Sequence, residues 1–188
     1  MSAAPRLTTA RLFLRSFEID DAPRVSELAG AREIADTTIS IPHPYPSEAA
    51  AAWIAQQAHE AAGGEALHWA IERRNEPGLI GGISLRDIDR GHSQGEVGFW
   101  IGRPWWGAGL ASEALQAVVR HAFVELGLNR LYAHHMVRNP ASGRVLERAG
   151  FQREGVLRQR VRKWGLFEDV VLLAVLRDES LRSRSVPD

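Results

Sequence analysis

The chain has 188 residues, 45% of them hydrophobic and 24% charged, and its 23 basic and 23 acidic side chains leave no formal net charge. That is enough chain for one domain with a real core, and the charge balance gives no long-range pull toward nucleic acid or an anionic membrane. No cysteine is present, which excludes disulfides, thiolate metal sites and a cysteine nucleophile.

The N-terminal stretch "MSAAPRLTTA" lacks the apolar core of a signal peptide. No apolar run approaches the roughly 20 residues that a bilayer crossing needs. A soluble cytoplasmic protein is therefore expected. "RLFLRSF" alternates apolar and polar residues and predicts a first strand. Asp20 and Asp21 are then expected to cap a helix running to Gly30. "SIPHPYPSEAA" carries three prolines and is irregular up to Ser47, the expected N-cap of a helix that continues to about Ala62 and stops at Gly63-Gly64.

"LHWAIE" has the period of a strand, and "LIGGISLRDID", after a Glu-Pro-Gly turn, reads as its hairpin partner. "QGEVGFWIG" is the next strand. A helix is expected from about Ala111 to Leu126, where Leu115, Val118, Val119, Ala122 and Leu126 keep helical spacing and Gly127 marks the stop. "RLYAHHMV" is a strand. Asn139 is the N-cap and Pro140 the first residue of a short helix ending at Gly150. "FQREGVLRQRVRK" and "FEDVVLLAVL" are a closing pair of strands, followed by a polar tail expected to be loose. The order βααβββαβαββ joins an antiparallel half to a strand-helix-strand unit, an α+β arrangement. Residues 1–177 are expected to form a single domain and 178–188 a flexible tail.

In "RPWWGAGLASEAL" two tryptophans run into Gly107-Ala108-Gly109 at the start of a helix. A glycine-rich turn there exposes backbone N–H groups at the positive end of the helix dipole, which suits a pyrophosphate. Ser112 adds a hydroxyl. The alternative is a tight turn that simply requires glycine. A Walker loop is excluded because Leu110-Ala111, and not Lys-Ser/Thr, follow the second glycine. A dinucleotide fingerprint lacks its third glycine, position 112 being serine, and its repeated βαβ units. Of Trp105 and Trp106, one is expected to pack inward and the other to wall a cleft, and the sequence leaves open which.

"GEVGFWIGRPWWGAGLASEAL", "VRNPASGRVLERAGF" and "REGVLRQ" resemble the GNAT superfamily of acyl-CoA-dependent N-acetyltransferases, in particular its RimJ/RimL-like branch of ribosomal-protein alanine N-acetyltransferases. "TTARLFLRSFEIDDA" and "EDVVLLAVL" resemble the same branch, so the likeness covers about residues 7–177. It implies a mixed, mostly antiparallel twisted sheet of about seven strands with about four helices. It implies acetyl-CoA as co-substrate and no metal. By resemblance, Trp106, Gly107, Ala108, Gly109, Leu110 and Ala111 wrap the coenzyme A pyrophosphate, with Ser112 beside them. Pantetheine then lies between strands 94–101 and 130–137, along the backbone of Phe99, Trp100 and Ile101. The superfamily's usual Gln/Arg at the head of this loop is Pro104 here, as is common in the RimJ/RimL-like branch.

Transfer of an acetyl group to an amine requires loss of a proton from an ammonium whose pKa lies near 10. It also requires a donor for the tetrahedral oxyanion. Strand alternation puts Glu96 on the side of Trp100, where neighbouring aromatics are expected to raise its pKa. The resemblance makes it the base, directly or through water; otherwise it is a solvated strand-end residue. Ser142, in the first turn of its helix, is by resemblance the thiolate proton donor, helped by the helix N-terminus. Its alternative is a surface helix serine. Asn139 caps that helix and by resemblance also holds the pantetheine arm. His134 and His135 are adjacent on a strand and point to opposite faces, which disfavours a shared metal. Tyr132 and His134 share one face and either line the acceptor pocket or pack. Trp164 and Asp169 are expected to border that pocket, and "IPHPYP" to cover it.

The expected function is acetyl-CoA-dependent N-acetylation by direct attack of an amine. The first acceptor is a protein N-terminus such as that of a ribosomal protein, and the second a small-molecule amine. The rivals are a non-catalytic acyl-CoA binder and a ribosome- or RNA-binding protein using Arg158–Lys163. The resemblance also allows a homodimer.

Overall fold

The computed structural model describes residues 3–182. The strands are β1 (Leu7–Thr8), β2 (Leu12–Arg15), β3 (Leu67–Arg73), β4 (Glu76–Asp89), β5 (Gln94–Ile101), β6 (Arg130–Met136), β7 (Gln152–Lys163) and β8 (Leu166–Leu176). The helices are α1 (Ala22–Ala29), α2 (Arg32–Ala35), α3 (Ser47–Gly63), α4 (Leu110–Val124), α5 (Pro140–Arg148) and α6 (Arg177–Arg182). All eight strands form one sheet in the order β1-β2-β3-β4-β5-β6-β8-β7. Every neighbouring pair is antiparallel except β5 and β6. That parallel pair needs a crossover connection, and α4 supplies it.

Strand alternation divides the sheet into two faces. On one face Trp69, Ile83, Val97, Leu131 and Leu173 pack against the apolar stripe of α4, including Leu115, Val118, Ala122 and Phe123. Each of these is 2% exposed or less, so truncating Leu115 to Ala is expected to cost about 2–5 kcal/mol. The other face carries Ala70 and Phe17 under α1 and α3. This second cluster is smaller, and part of its face stays open.

Several boundaries differ from the sequence reading. A two-residue strand, β1, brings the total to eight. The β3–β4 turn is Arg74-Asn75, and Glu76-Pro77-Gly78 already belongs to β4. The register shift at Ile71–Arg73 absorbs the proline, which cannot donate to a ladder. Pro46, not Ser47, is the N-cap of α3. Asp21 is the N-cap of α1 and Gly30 its C-cap, as expected, but the Asp21 side chain makes no cap bond: with Asp20 it lies in a 3-10 turn capped by Glu18, and it is bonded to Arg15, 2.7 Å away. Residues 177–182 continue as α6 where the sequence suggested a loose tail; positions 183–188 lie outside the described residues.

Candidate functional site

Gly107 and Gly109 have φ of 76° and 75°. A Cβ on Gly107 would meet nothing within 4 Å, so the left-handed backbone, not crowding, demands glycine there. Gly109 is the N-cap of α4, and no side chain caps that helix. Among the described residues, no backbone N–H from Gly107 through Ser112 has a protein acceptor. The Ser112 hydroxyl is buried and also without a partner. A run of unpaired donors at a helix N-terminus is what a pyrophosphate requires. The tight turn thus leaves free the donors that an anion cradle needs.

The loop is clamped from the turn between β1 and β2. Arg11 donates Nη1 to the Ala108 carbonyl (2.9 Å) and Nε to Glu113 Oε2 (2.6 Å), while its backbone N–H reaches Glu113 Oε1 (2.8 Å). Thr9 Oγ1 donates to the same carboxylate. Glu113 lies in the first turn of α4, where a negative charge is favoured. Trp105 is half-buried between the two cores and under the Arg24 guanidinium, and its remaining surface also lines the cleft beside the loop. Trp106 is 52% exposed, donates Nε1 to the Ile101 carbonyl (2.6 Å) and walls the cleft.

That cleft has a volume of about 400 Å³. Phe99, Trp100, Ile101, Trp106, Gly107, Gly109, Leu110, Ala111, Ser112, Asn139 and Ser142 all line it. Of the coenzyme A residues expected from the sequence, Ala108 alone is missing, because its carbonyl turns to Arg11. Arg144 and Arg148, one helical turn apart on α5, add positive charge to the lining. The cleft opens where β5 and β6 part. They pair only at Gln94–Arg130, Gly95–Leu131 and Glu96–Tyr132, yet β5 runs on to Ile101 and β6 to Met136. The unpaired edge of β5 beyond Glu96 leaves backbone groups free for an amide-bearing arm.

Asn139 Oδ1 accepts from Ser142 N (3.3 Å) as the cap of α5, and Nδ2 donates to Ser142 Oγ (3.0 Å). The serine oxygen is thereby fixed while its own proton stays available. The next residue, Gly143, allows α5 to sit close on β6: a Cβ there would fall 2.8 Å from His135 Nε2.

A second cavity, of about 280 Å³, lies on the open face of the sheet. Small residues such as Gly82, Ser84 and Gly98 line it together with Val25, Ala29, Tyr45 and Trp53 from the helical side. The loop of residues 37–42 covers it, held by Lys163 Nζ donating to the Ile41 carbonyl (2.7 Å) and by the Arg138–Asp36 pair (2.7 Å). Thr37, Thr38, Phe99, Trp100 and Ser142 line both cavities, which therefore meet. Trp164 and Asp169 do not line it. Trp164 stacks beneath Arg32 and Lys163, and Asp169 Oδ1 accepts from Gln159 N at a bulge in β7.

Glu96 stands at the point where β5 and β6 separate. Its Oε1 accepts from Arg86 Nη2 (2.9 Å) and lies 3.1 Å from His134 Nδ1. Burial alone would raise its pKa. The hydrogen bonds from His134 and Arg86 outweigh burial and hold the carboxyl down, to about 2. The expectation of a raised pKa is thus reversed. The aromatic neighbours are present, but the opposite strands bring two cationic or donor groups closer. His135 turns away and bonds the Met136 carbonyl, so the two histidines serve different partners.

The Acetyltransferase (GNAT) domain family matches residues 11–152. This chain belongs to the GNAT family. It is similar to the [ribosomal protein uS5]-alanine N-acetyltransferase of Escherichia coli (strain K12), 30% identical over 184 residues covering 90% of each chain. It is 40% identical over 116 residues to YjcK of Bacillus subtilis (strain 168), a protein named as an N-acetyltransferase; the match takes in 61% of this chain and spans 64% of YjcK. Among solved structures, RimL, a ribosomal L7/L12 alpha-N-protein acetyltransferase in complex with coenzyme A, superposes with a TM-score of 0.83 at 22% identity, covering 92% of this chain and 98% of that one. This last likeness shows the fold.

In the GNAT frame the row of free N–H groups, the orphaned Ser112 hydroxyl and Arg144 with Arg148 fit the phosphates of coenzyme A. The Arg11–Glu113 clamp, Arg86 and the two α5 arginines escaped the sequence reading. Only the pair Arg144/Arg148 left a signal, an i,i+4 repeat on a short helix. Among the described residues no three His, Asp or Glu side chains gather to hold a metal, and no helix is long and apolar enough to cross a membrane.

Proposed function

We propose that this protein transfers the acetyl group of acetyl-CoA to the N-terminal amine of a protein, in the manner of a ribosomal-protein acetyltransferase. The observation that carries the reading is the shared wall of the two cavities. A thioester at the inner end of the 400 Å³ cleft faces an amine in the 280 Å³ cavity across Phe99, Trp100 and Ser142. The acceptor cavity supports a small uncharged first residue. Val25, Ala29, Ile41, Tyr45 and Trp53 line it, and its one lining carboxylate, Glu96, is already bonded to Arg86 and His134. A polyamine would need unpaired anions there. The relative acting on ribosomal protein uS5 supports the same acceptor class, and a cytoplasmic location goes with it.

In this reading the acceptor nitrogen attacks the thioester carbonyl directly, and no enzyme nucleophile intervenes. Glu96 is the anion that governs loss of the ammonium proton, and the Ser142 hydroxyl donates to the sulfur as the C–S bond breaks. Asn139 keeps the serine oxygen in place. The phosphates are held by residues 107–112, and Trp106 closes the side of the cleft.

The test is a panel of acceptors assayed by thiol release from acetyl-CoA. Peptides beginning with Ala, Ser or Thr are expected to turn over, and spermidine and aminoglycosides are not. Turnover of the polycations alone would replace this reading with a small-molecule one.

A further inference from the structure

His134 is placed to do more than line the acceptor cavity. Its Nδ1 lies 3.1 Å from Glu96 Oε1, and that oxygen also accepts from Arg86 Nη2 at 2.9 Å. A carboxylate only accepts hydrogen bonds, so Nδ1 must carry the proton. In the neutral imidazole the lone pair then sits on Nε2. Among the described residues Nε2 has no hydrogen-bond partner, and it is not one of the buried unpartnered nitrogens, so it is open to the cavity that His134 lines. Glu96, in contrast, has its Oε1 engaged twice and is held as the anion.

We propose that His134 Nε2 takes the proton from the acceptor ammonium, with Glu96 as a positioning residue that fixes the imidazole tautomer and stabilises the imidazolium that forms. This rests on the acetyl-transfer reading above. The steps balance. R–NH3⁺ gives one proton to Nε2, and the free amine forms a C–N bond to the thioester carbon while the C=O π electrons move to oxygen. Collapse of that oxyanion breaks the C–S bond; the second N–H proton passes to the leaving sulfur through the Ser142 hydroxyl, and the imidazolium later returns its proton to solvent.

The groups facing His134 are Glu96 from β5, Arg86 from β4 and Tyr132 from β6 itself, whose ring meets the imidazole edge-on at 5.8 Å between centroids. From β8 the residue opposite is Leu172, which is apolar. Burial, and then the nearby Glu96 charge, raise the Tyr132 pKa, so the phenol stays neutral and does not compete as a base. Tyr45 and His68 also line the cavity, as does the neighbouring His135, whose Nδ1 is engaged by the Met136 carbonyl. His68 is a weaker candidate for the same proton. Its Nε2 is tied to Glu60 (2.7 Å) and its Nδ1 is sealed from solvent.

Two measurements test the assignment. In long-range proton–nitrogen NMR spectra of the labelled wild-type protein, the neutral His134 ring should show an unprotonated Nε2 and a protonated Nδ1. The opposite tautomer overturns the proposal whatever the acceptor is. In pH profiles of kcat/KM with an N-terminal peptide, His134→Asn keeps a donor to Glu96 but has no base. It should lose about 100-fold or more near neutrality, with KM for acetyl-CoA unchanged, and should lose the acid limb. Glu96→Gln should keep the limb but move it to lower pH, because an imidazolium without its anion is less stable. A limb that survives in His134→Asn and vanishes in Glu96→Gln would make Glu96 the base and overturn the proposal. Absence of turnover by the wild type with every peptide would count against the acceptor reading, and the NMR result would still decide the proton's place.

Discussion

Glu96→Gln also tests the electrostatics of the β5–β6 apex through stability, independently of turnover. The Glu96 side chain is 11% exposed, and its partners hold the carboxyl from its ordinary 4.5 down to about 2. A depression of that size is worth roughly 3 kcal/mol of folding stability near neutral pH. The sign follows from the direction. The folded-state pKa lies below the unfolded one, so this stabilisation is complete above about pH 5 and is lost as pH falls from about 4.5 toward 2. The glutamine variant has no such component. It also leaves Arg86, whose buried Nε already lacks a partner, without its anion. Urea unfolding followed by circular dichroism gives the comparison. The wild type should exceed the variant by about 3 kcal/mol near pH 7 and by about 1 kcal/mol near pH 3. A difference that stays constant over this range would show that the carboxylate is not held ionised by Arg86 and His134, and the account of the apex would fail.

Gly107→Ala and Gly109→Ala force a Cβ into left-handed backbone at a cost of about 1–2 kcal/mol each, so calorimetric titration should show acetyl-CoA binding weakened roughly 5- to 30-fold. Unchanged affinity would mean the loop binds in another conformation. Arg11→Ala removes the clamp on the Ala108 carbonyl and on Glu113, and should weaken acetyl-CoA binding while leaving KM for the acceptor unaltered in steady-state kinetics. Ser142→Ala should lower kcat about 10- to 100-fold with acetyl-CoA affinity nearly intact, and calorimetry separates this from a damaged cleft. His68→Phe should raise KM for the acceptor more than it lowers kcat, because His68 lines only the acceptor cavity.

Local pattern revealed what depends on local chemistry. The alternation of β3 and β5, the stripe of α4 and the Asn139-Pro140 start of α5 are each dictated within a few residues, and all appear in the fold. The glycine turn before α4 was legible for the same reason, but two glycines before a helix suit a tight turn as well as an anion, and the step to coenzyme A came from the family resemblance of the stretches on either side. What escaped depends on residues distant in sequence. The Glu96 environment is set by Arg86 and His134, 10 and 38 residues away, which meet only because β4 and β6 flank β5. The aromatic neighbours of Glu96 gave the wrong sign because two hydrogen bonds outweigh burial. Trp105 and Trp106 were indistinguishable in sequence. Both line the cleft; Arg24 from α1 covers the first, which is also packed against the two cores, and the Ile101 carbonyl holds the more exposed second. Strand β1 has two residues, too few for any period, and the Arg74-Asn75 turn was hidden by the stronger Pro-Gly signal beside it.

The position of the transferred acetyl group distinguishes a protein N-terminus from every other acceptor. A peptide carrying both an N-terminal alanine amine and an internal lysine, incubated with the protein and acetyl-CoA, should gain one acetyl group, located by fragment mass spectrometry on the N-terminal nitrogen, with one equivalent of thiol released. Acetylation of the lysine side chain instead, or release of thiol with no acetylated peptide, would contradict an acceptor cavity shaped for a protein N-terminus.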